Sequence, residues 1–312
     1  MKTIQKNNAL KKGRFGKAMK RYGAYYVMLL LPTVYFIVFK YFPMIGNVLA
    51  FRRYSPISPL LGSEWAGFTY FQQFLTSSDF WDKFKNTLGI SLLSLVCGFP
   101  APILFALLLN ELRNVKFKKF VQTASYLPHF ISTVVVTGFI FQVTSTNGGV
   151  INDIIVFFGG QKINFMAEPK YFRAIYVLSS IWQELGWNAI IYIAAMTGID
   201  PELYDAGAID GTNNFKEIIY ITIPCIAPTI IISLILSVGG ILSVGYEKIL
   251  LLMNDLNKDT ADVISTYVYR MGLINSNYSY STAVGLFDAV IGLILVSTAN
   301  FISDRITDTA LW

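Results

Sequence analysis

The chain has 312 residues, a formal net charge of +6, 54% hydrophobic residues and 14% charged residues. Soluble domains carry about 25% charged residues, so with a mean hydropathy of +0.51 the composition argues against a water-soluble globular protein. One histidine, His129, and two distant cysteines, Cys97 and Cys225, argue against a disulfide framework, a metal knot or chemistry that needs a histidine cluster.

Residues 1–23 form a basic arm. Lys2, Lys6, Lys11, Lys12, Arg14, Lys17, Lys20 and Arg21 occur there without an acid. Beside an apolar segment such a run marks the cytoplasmic side and touches anionic lipid. It is not read as a cleaved signal peptide, because the apolar stretch after it is long and no small-residue cleavage site closes it.

The predicted fold is an all-α membrane protein whose core, residues 24–302, holds six transmembrane helices. The spans are predicted at 24–41, 87–109, 127–143, 174–196, 226–244 and 283–301. Each approaches the roughly 20 apolar residues that cross a bilayer. Helices are expected because backbone groups in lipid must bond within their own segment. The link after the second span carries Arg113, Lys116, Lys118 and Lys119 against Glu111. It and the basic arm are therefore predicted to be cytoplasmic, as are both termini, including a short tail at 303–312. The loop before the fifth span departs from that rule. Asp200, Glu202, Asp205, Asp210 and Glu217 face one Lys216, an excess that suggests a protein neighbour.

Three longer loops are expected outside. Residues 42–86 are rich in aromatics. Residues 144–173 hold a short apolar piece at 150–158, read as re-entrant or interfacial. Residues 246–282 are polar and tyrosine-rich.

Residues 199–225 form the most informative loop. Asp200 is a good N-cap, Pro201 suits the first helical position, and Glu202 complements the positive helix end. A short helix is predicted over 201–210, ended by Gly211 in a left-handed conformation. Leu203, Ala206, Gly207 and Asp210 share the i, i+3, i+4, i+7 spacing of one helix face. A face of small residues suits docking into a groove. A plain helical turn fits the same residues.

Asp205-Ala206-Gly207, then Gly211, then Ile221 and Ile223-Pro224 resemble the EAA loop of binding-protein-dependent ABC importer permeases. Asp205 stands where that pattern has Glu, and Gly207 where it has Ala. Asn110-Glu111, Tyr126-Leu127-Pro128-His129-Phe130, Asn277-Tyr278-Ser279-Tyr280 and Ala283-Val284-Gly285 look like the polysaccharide and oligosaccharide members of the maltose-type sugar permeases. The resemblance implies a type I ABC importer permease fold and a non-catalytic subunit. It implies four kinds of partner: a second permease subunit, two cytoplasmic ATPase subunits, an extracellular solute-binding lipoprotein and an oligosaccharide substrate. Contact with membrane lipids and none with nucleic acid go with this. It assigns coupling to the ATPase to Leu203, Asp205, Ala206, Gly207, Asp210, Gly211 and Pro224. No cofactor is expected in this subunit. ATP and Mg belong to the ATPase partner, in keeping with the lack of a GxxxxGK[ST] run here. The implied location is a bacterial plasma membrane, Gram-positive and multi-pass.

Candidates for the substrate path are Trp182, Gln183, Glu184, Trp187 and Asn188 within the fourth span. An acid at that depth faces the bundle interior or a water-filled cavity. Helix–helix hydrogen bonding fits the same residues. Tyr246, with Glu247 and Lys248, forms a second candidate group. A proton-coupled carrier would want more intramembrane charges, and a membrane enzyme a nucleophile with its base.

Overall fold

A computed structural model describes residues 21–57, 63–307 and 309–312. The basic arm therefore lies outside the described residues except for its last three. Among the described residues the chain is helical, with one isolated bridge between Arg52 and Trp65 and no strand. Among the described residues four helices are long and apolar enough to cross a membrane: α1 (Arg21–Phe51), α3 (Ser78–Asn110), α9 (Asn214–Gly239) and α11 (Tyr278–Thr307). Between α1 and α3 lies the short α2 (Thr69–Leu75). A fifth span is counted if α4 (Val115–Phe130) and α5 (Thr133–Thr144), which meet at 103°, cross together. The short α6 (Val150–Phe157) follows. Next comes α7 (Pro169–Thr197), whose 29 residues reach about 43 Å at 1.5 Å per residue. Its length suffices for a span, but Gln183, Glu184 and Asn188 dilute its apolar character.

Several expected boundaries move, each for a local reason. The segment expected as a straight span at 127–143 is broken. Leu127–Phe130 tightens into a 3₁₀ turn around Pro128, and Ser132 opens α5 by accepting the Val135 N–H at 3.5 Å. The fifth span starts at Asn214 and stops at Gly239, earlier than expected, so 240–244 is a non-helical link. Among the described residues three of the four wide π turns, Ile37–Tyr41, Ser94–Gly98 and Ile218–Thr222, run within two residues of a proline, Pro43, Pro100 and Pro224, and the fourth, Arg270–Ile274, does not. Proline lacks an N–H and crowds the preceding turn, and a π turn absorbs that mismatch without ending the helix.

Among the described residues three buried clusters hold the bundle. Near the start of α3, Phe74 and Phe80 pack with Tyr267, Tyr280 and Val284. Ile90, Val136, Phe172 and Val177 join α3, α5 and α7. They also meet Ile249 and Leu252 of α10 (Tyr246–Leu252). At the other end of α3, Leu107, Ala189, Tyr192, Met196 and Ile226 join α3, α7 and α9. Outside these clusters the long helices show apolar side chains outward. The best apolar stretch of α1 is entirely unburied within this chain. That is the arrangement of a protein whose surrounding solvent is lipid.

A polar network ties the loops at the Ser78 end of α3. The Asp262 carboxylate, 1% exposed, accepts from Arg270 Nη2 at 2.6 Å and from Thr266 Oγ1 at 2.8 Å, with Lys83 Nζ at 3.8 Å. Asn86 Nδ2 donates to the Asp259 and Asp262 carbonyls, and Arg173 Nη2 donates to Asn86 Oδ1. Asp262→Ala leaves the Arg270 guanidinium without its carboxylate, while Lys83 keeps Asp79. It is expected to cost about 3–5 kcal/mol, the range for breaking a buried pair. A thermal midpoint in detergent unchanged from wild type would refute that weight.

Candidate functional site

Helices α3, α7 and α9 diverge around a cavity of about 590 Å³. Its wall is hydroxyl-rich: Ser91 and Ser94 from α3, Ser180 and Tyr192 from α7, Ser233 and Ser237 from α9. The link after α9 closes one end with Ser243, Val244 and Gly245. Hydroxyls that both donate and accept, set among aromatic and aliphatic walls, suit a polyhydroxylated guest.

Of the predicted path residues, Glu184, Trp187 and Asn188 line this cavity. Trp182, Gln183 and Tyr246 do not. Trp182 stacks on Phe139 of α5 at 5.8 Å between ring centres. Gln183 is buried and donates to the Ile131 carbonyl at the α4–α5 break, 3.3 Å away. Tyr246 stacks on Tyr269 at 5.9 Å. Helix periodicity explains the split: 184, 187 and 188 share one face of α7, and 182 and 183 look elsewhere.

Glu184 does not stand alone. Its Oε2 is 2.8 Å from His129 Nδ1, and the imidazole lies flat on Trp187 at 4.2 Å with 4° between planes. The 3₁₀ turn at Leu127–Phe130 thus sets His129 against two residues of the cavity wall. This contact depends on Gly186, where a Cβ would come within 2.3 Å of the Ser125 carbonyl oxygen.

Lys248 of α10 lies behind the opposite end of the same wall. It is 7% exposed, donates to Ser180 Oγ at 3.0 Å, and sits 5.5 Å from the Tyr176 ring centre. Burial lowers its pKa to about 8, with Glu184 pulling upward. The unfolded chain therefore binds the extra proton between about pH 8 and 10.5, and through that window the fold gains stability as pH rises.

The loop after α7 forms a separate, exposed feature. Helix α8 (Pro201–Ile209) is capped at both ends. Asp200 Oδ1 accepts the Glu202 N–H at 3.0 Å. At the far end Gly211 takes φ +73°, and the Thr212 N–H reaches back to the Gly207 carbonyl at 3.0 Å. Leu203, Asp205, Ala206 and Asp210 are exposed, but Gly207 is buried. Of the predicted face Leu203, Ala206, Gly207 and Asp210, Gly207 alone is covered by this chain and the other three stay open. A Cβ there would meet Ile221 Cδ1 at 2.9 Å and Thr212 Oγ1 at 3.0 Å. Glycine at 207 lets α8 lie tightly on the start of α9. Tyr204 Oη and Thr222 Oγ1, 3.0 Å apart, pin the same contact. Pro224 lies one turn further along α9 and is exposed. Asn214 Nδ2 donates to Glu111 Oε2 at 2.8 Å, so the acidic loop and the basic link after α3 lie at one end of the bundle.

The cavity serines were not anticipated from sequence. They come singly from three helices, and no local spacing marks them. The one available signal is a serine every turn on one face, as at Ser233 and Ser237.

Residues 98–308 match the family described as binding-protein-dependent transport system inner membrane component. The chain is 46% identical to the polygalacturonan/rhamnogalacturonan transport system permease protein YteP of Bacillus subtilis (strain 168), over 92% of this chain and 89% of that one. It is 42% identical to Protein LplB of the same organism, over 95% and 93%. Among solved structures it matches a chain of a bacterial alginate ABC transporter in complex with an alginate pentasaccharide-bound periplasmic protein. That match has a TM-score of 0.86, 43% identity, and coverage of 95% of this chain and 99% of that one. With the all-helical bundle, its apolar exterior and the family match over residues 98–308, the chain belongs to the inner membrane components of binding-protein-dependent transport systems.

Proposed function

We propose that this chain is one permease subunit of an ATP-driven importer and forms, with a second permease, the path of an oligosaccharide handed over by an extracellular binding protein. The carrying observation is mechanical. Helix α8, capped and outwardly exposed, is clamped through Gly207 and Tyr204 onto α9, and α9 supplies Ser233 and Ser237 to the cavity wall. A push on α8 is thereby transmitted along one helix to the groups that meet the sugar. The ATPase subunits supply that push when they close on ATP. Leu203, Asp205, Ala206 and Asp210 offer the surface they grip, and Gly207, Gly211 and Pro224 shape it. The relatives named for polygalacturonan/rhamnogalacturonan and alginate support a saccharide as cargo.

In this reading α7 is the sixth span, its polar residues turned to the path and away from lipid. Both termini and α8 are cytoplasmic, beside the basic link after α3, in a bacterial plasma membrane. Purification of the chain from its native cells in mild detergent, followed by mass spectrometry, tests the assignment. A second permease and an ATPase should co-purify. Recovery of the chain alone, where control complexes survive, overturns it.

A further inference from the structure

Lys248 is a cation that the fold buries without a counter-charge. Its ammonium reaches Ser180 Oγ and the Tyr176 ring, and no carboxylate lies within ion-pairing distance among the described residues. The acid that influences it, Glu184, is spent on His129 at 2.8 Å. A buried, unpaired ammonium is unfavourable, and a hydrophobic side chain of similar volume is commonly tolerated better in such a place. Its position suggests what it serves. Ser180 and Tyr176 both line the cavity, so one hydroxyl and one ring edge separate the ammonium from the guest. Ser180 and Glu184 are four residues apart on α7, about 6 Å along the axis. The cavity thus has a positive end beside α10 and, one turn away, a carboxylate already engaged by His129.

We propose that Lys248 selects acidic oligosaccharides, its ammonium, held behind Ser180 and Tyr176, drawing a uronate carboxylate to the α10 end of the cavity by its charge. This rests on the importer reading and adds the class of cargo. Ser180, which accepts from that ammonium, presents its own hydroxyl to the cavity and so carries the positive field to the guest. The neighbouring serines serve the ring hydroxyls. Glu184 sets the polarity of the site, because a carboxylate is drawn to the Lys248 end and repelled from the other. The names of two similar proteins fit this chemistry. Polygalacturonan is a polyuronate, and alginate is described as an acidic polysaccharide.

The test uses the whole importer in proteoliposomes, with its own second permease, ATPase and binding protein. Two probes are compared: an oligogalacturonate and the same chain with its carboxyl groups reduced to alcohols. Lys248→Met should lower ATP-dependent uptake of the acidic chain at least tenfold while uptake of the neutral chain changes less than twofold. Lys248→Arg should recover most of the acidic uptake. The methionine variant keeps the apolar stem and removes an unpaired charge, so its thermal midpoint should equal or exceed that of wild type. Equal loss for both probes, or no loss for the acidic one, overturns the role of Lys248 and leaves the importer reading standing. A wild-type complex that imports the neutral chain and refuses the acidic one does the same. Absence of ATP-dependent uptake of either probe, together with failure to recover partner subunits, overturns both.

Discussion

Gly186→Val is expected to be the most damaging single substitution on α7, lowering the amount of assembled complex and abolishing uptake. A Cβ at 186 would lie 2.3 Å from the Ser125 carbonyl oxygen and 2.5 Å from its carbon. Those are backbone atoms of α4, so no rotamer change relieves the overlap. The helices must separate, and overpacking of this kind costs about 1–3 kcal/mol or more. Alanine should already show a clear loss and valine a larger one.

The damage should reach the cavity as well as the fold. Ser125 precedes His129 by one turn, and Gly186 lies between Glu184 and Trp187. Separating α4 from α7 withdraws the imidazole from both the carboxylate at 2.8 Å and the indole at 4.2 Å. A matched control is available on α5, where a Cβ at Gly138 meets nothing within 4 Å. Gly138→Ala should leave thermal midpoint and uptake near wild type. A Gly186→Val complex that melts and transports as wild type does would show that the α4–α7 contact is looser than this geometry requires.

What could be read from the sequence follows how local each cause is. The caps of α8 are set by neighbours in the chain, so Asp200, Pro201 and Gly211 announced that helix and its end. Gly207 was legible as a departure from the EAA pattern but not as a contact, because Ile221, its reason, lies across a turn of the chain. The apolar runs marked the long helices. They did not mark the break between α4 and α5, since Phe130, Ile131 and Val134–Val136 read as one continuous apolar stretch around Ser132 and Thr133. Glu184 signalled a polar interior, and its helix phase alone would have separated Trp187 and Asn188 from Trp182 and Gln183. Gly186, the Asp262 network and the cavity serines were silent. Each depends on residues more than fifty positions apart meeting in the fold, and composition carries no trace of that.

The second large effect is expected in the loop that joins α7 to α9. Asp205→Arg and Gly211→Pro should each reduce uptake to background, by different routes. Asp205 is exposed and outside the internal contacts of α8, so reversing its charge leaves the fold intact and alters only what meets it. Where a docked partner presents a cation there, loss of the attraction and gain of a repulsion cost about 2–5 kcal/mol. That is roughly 30-fold or more in occupancy at 1.4 kcal/mol per tenfold. Gly211 holds φ +73° and donates to the Ala208 carbonyl at 3.2 Å. Proline is fixed near −65° and has no N–H, so the turn that ends α8 must open. The Tyr204–Thr222 clamp to α9 then loosens, and a push on α8 no longer moves the cavity wall. The two variants should therefore part company in a pull-down. Asp205→Arg should lose the ATPase, whereas Gly211→Pro should retain part of it and fail to transport. Normal uptake in both, with protein present in the membrane at wild-type levels, would remove α8 from the transport mechanism.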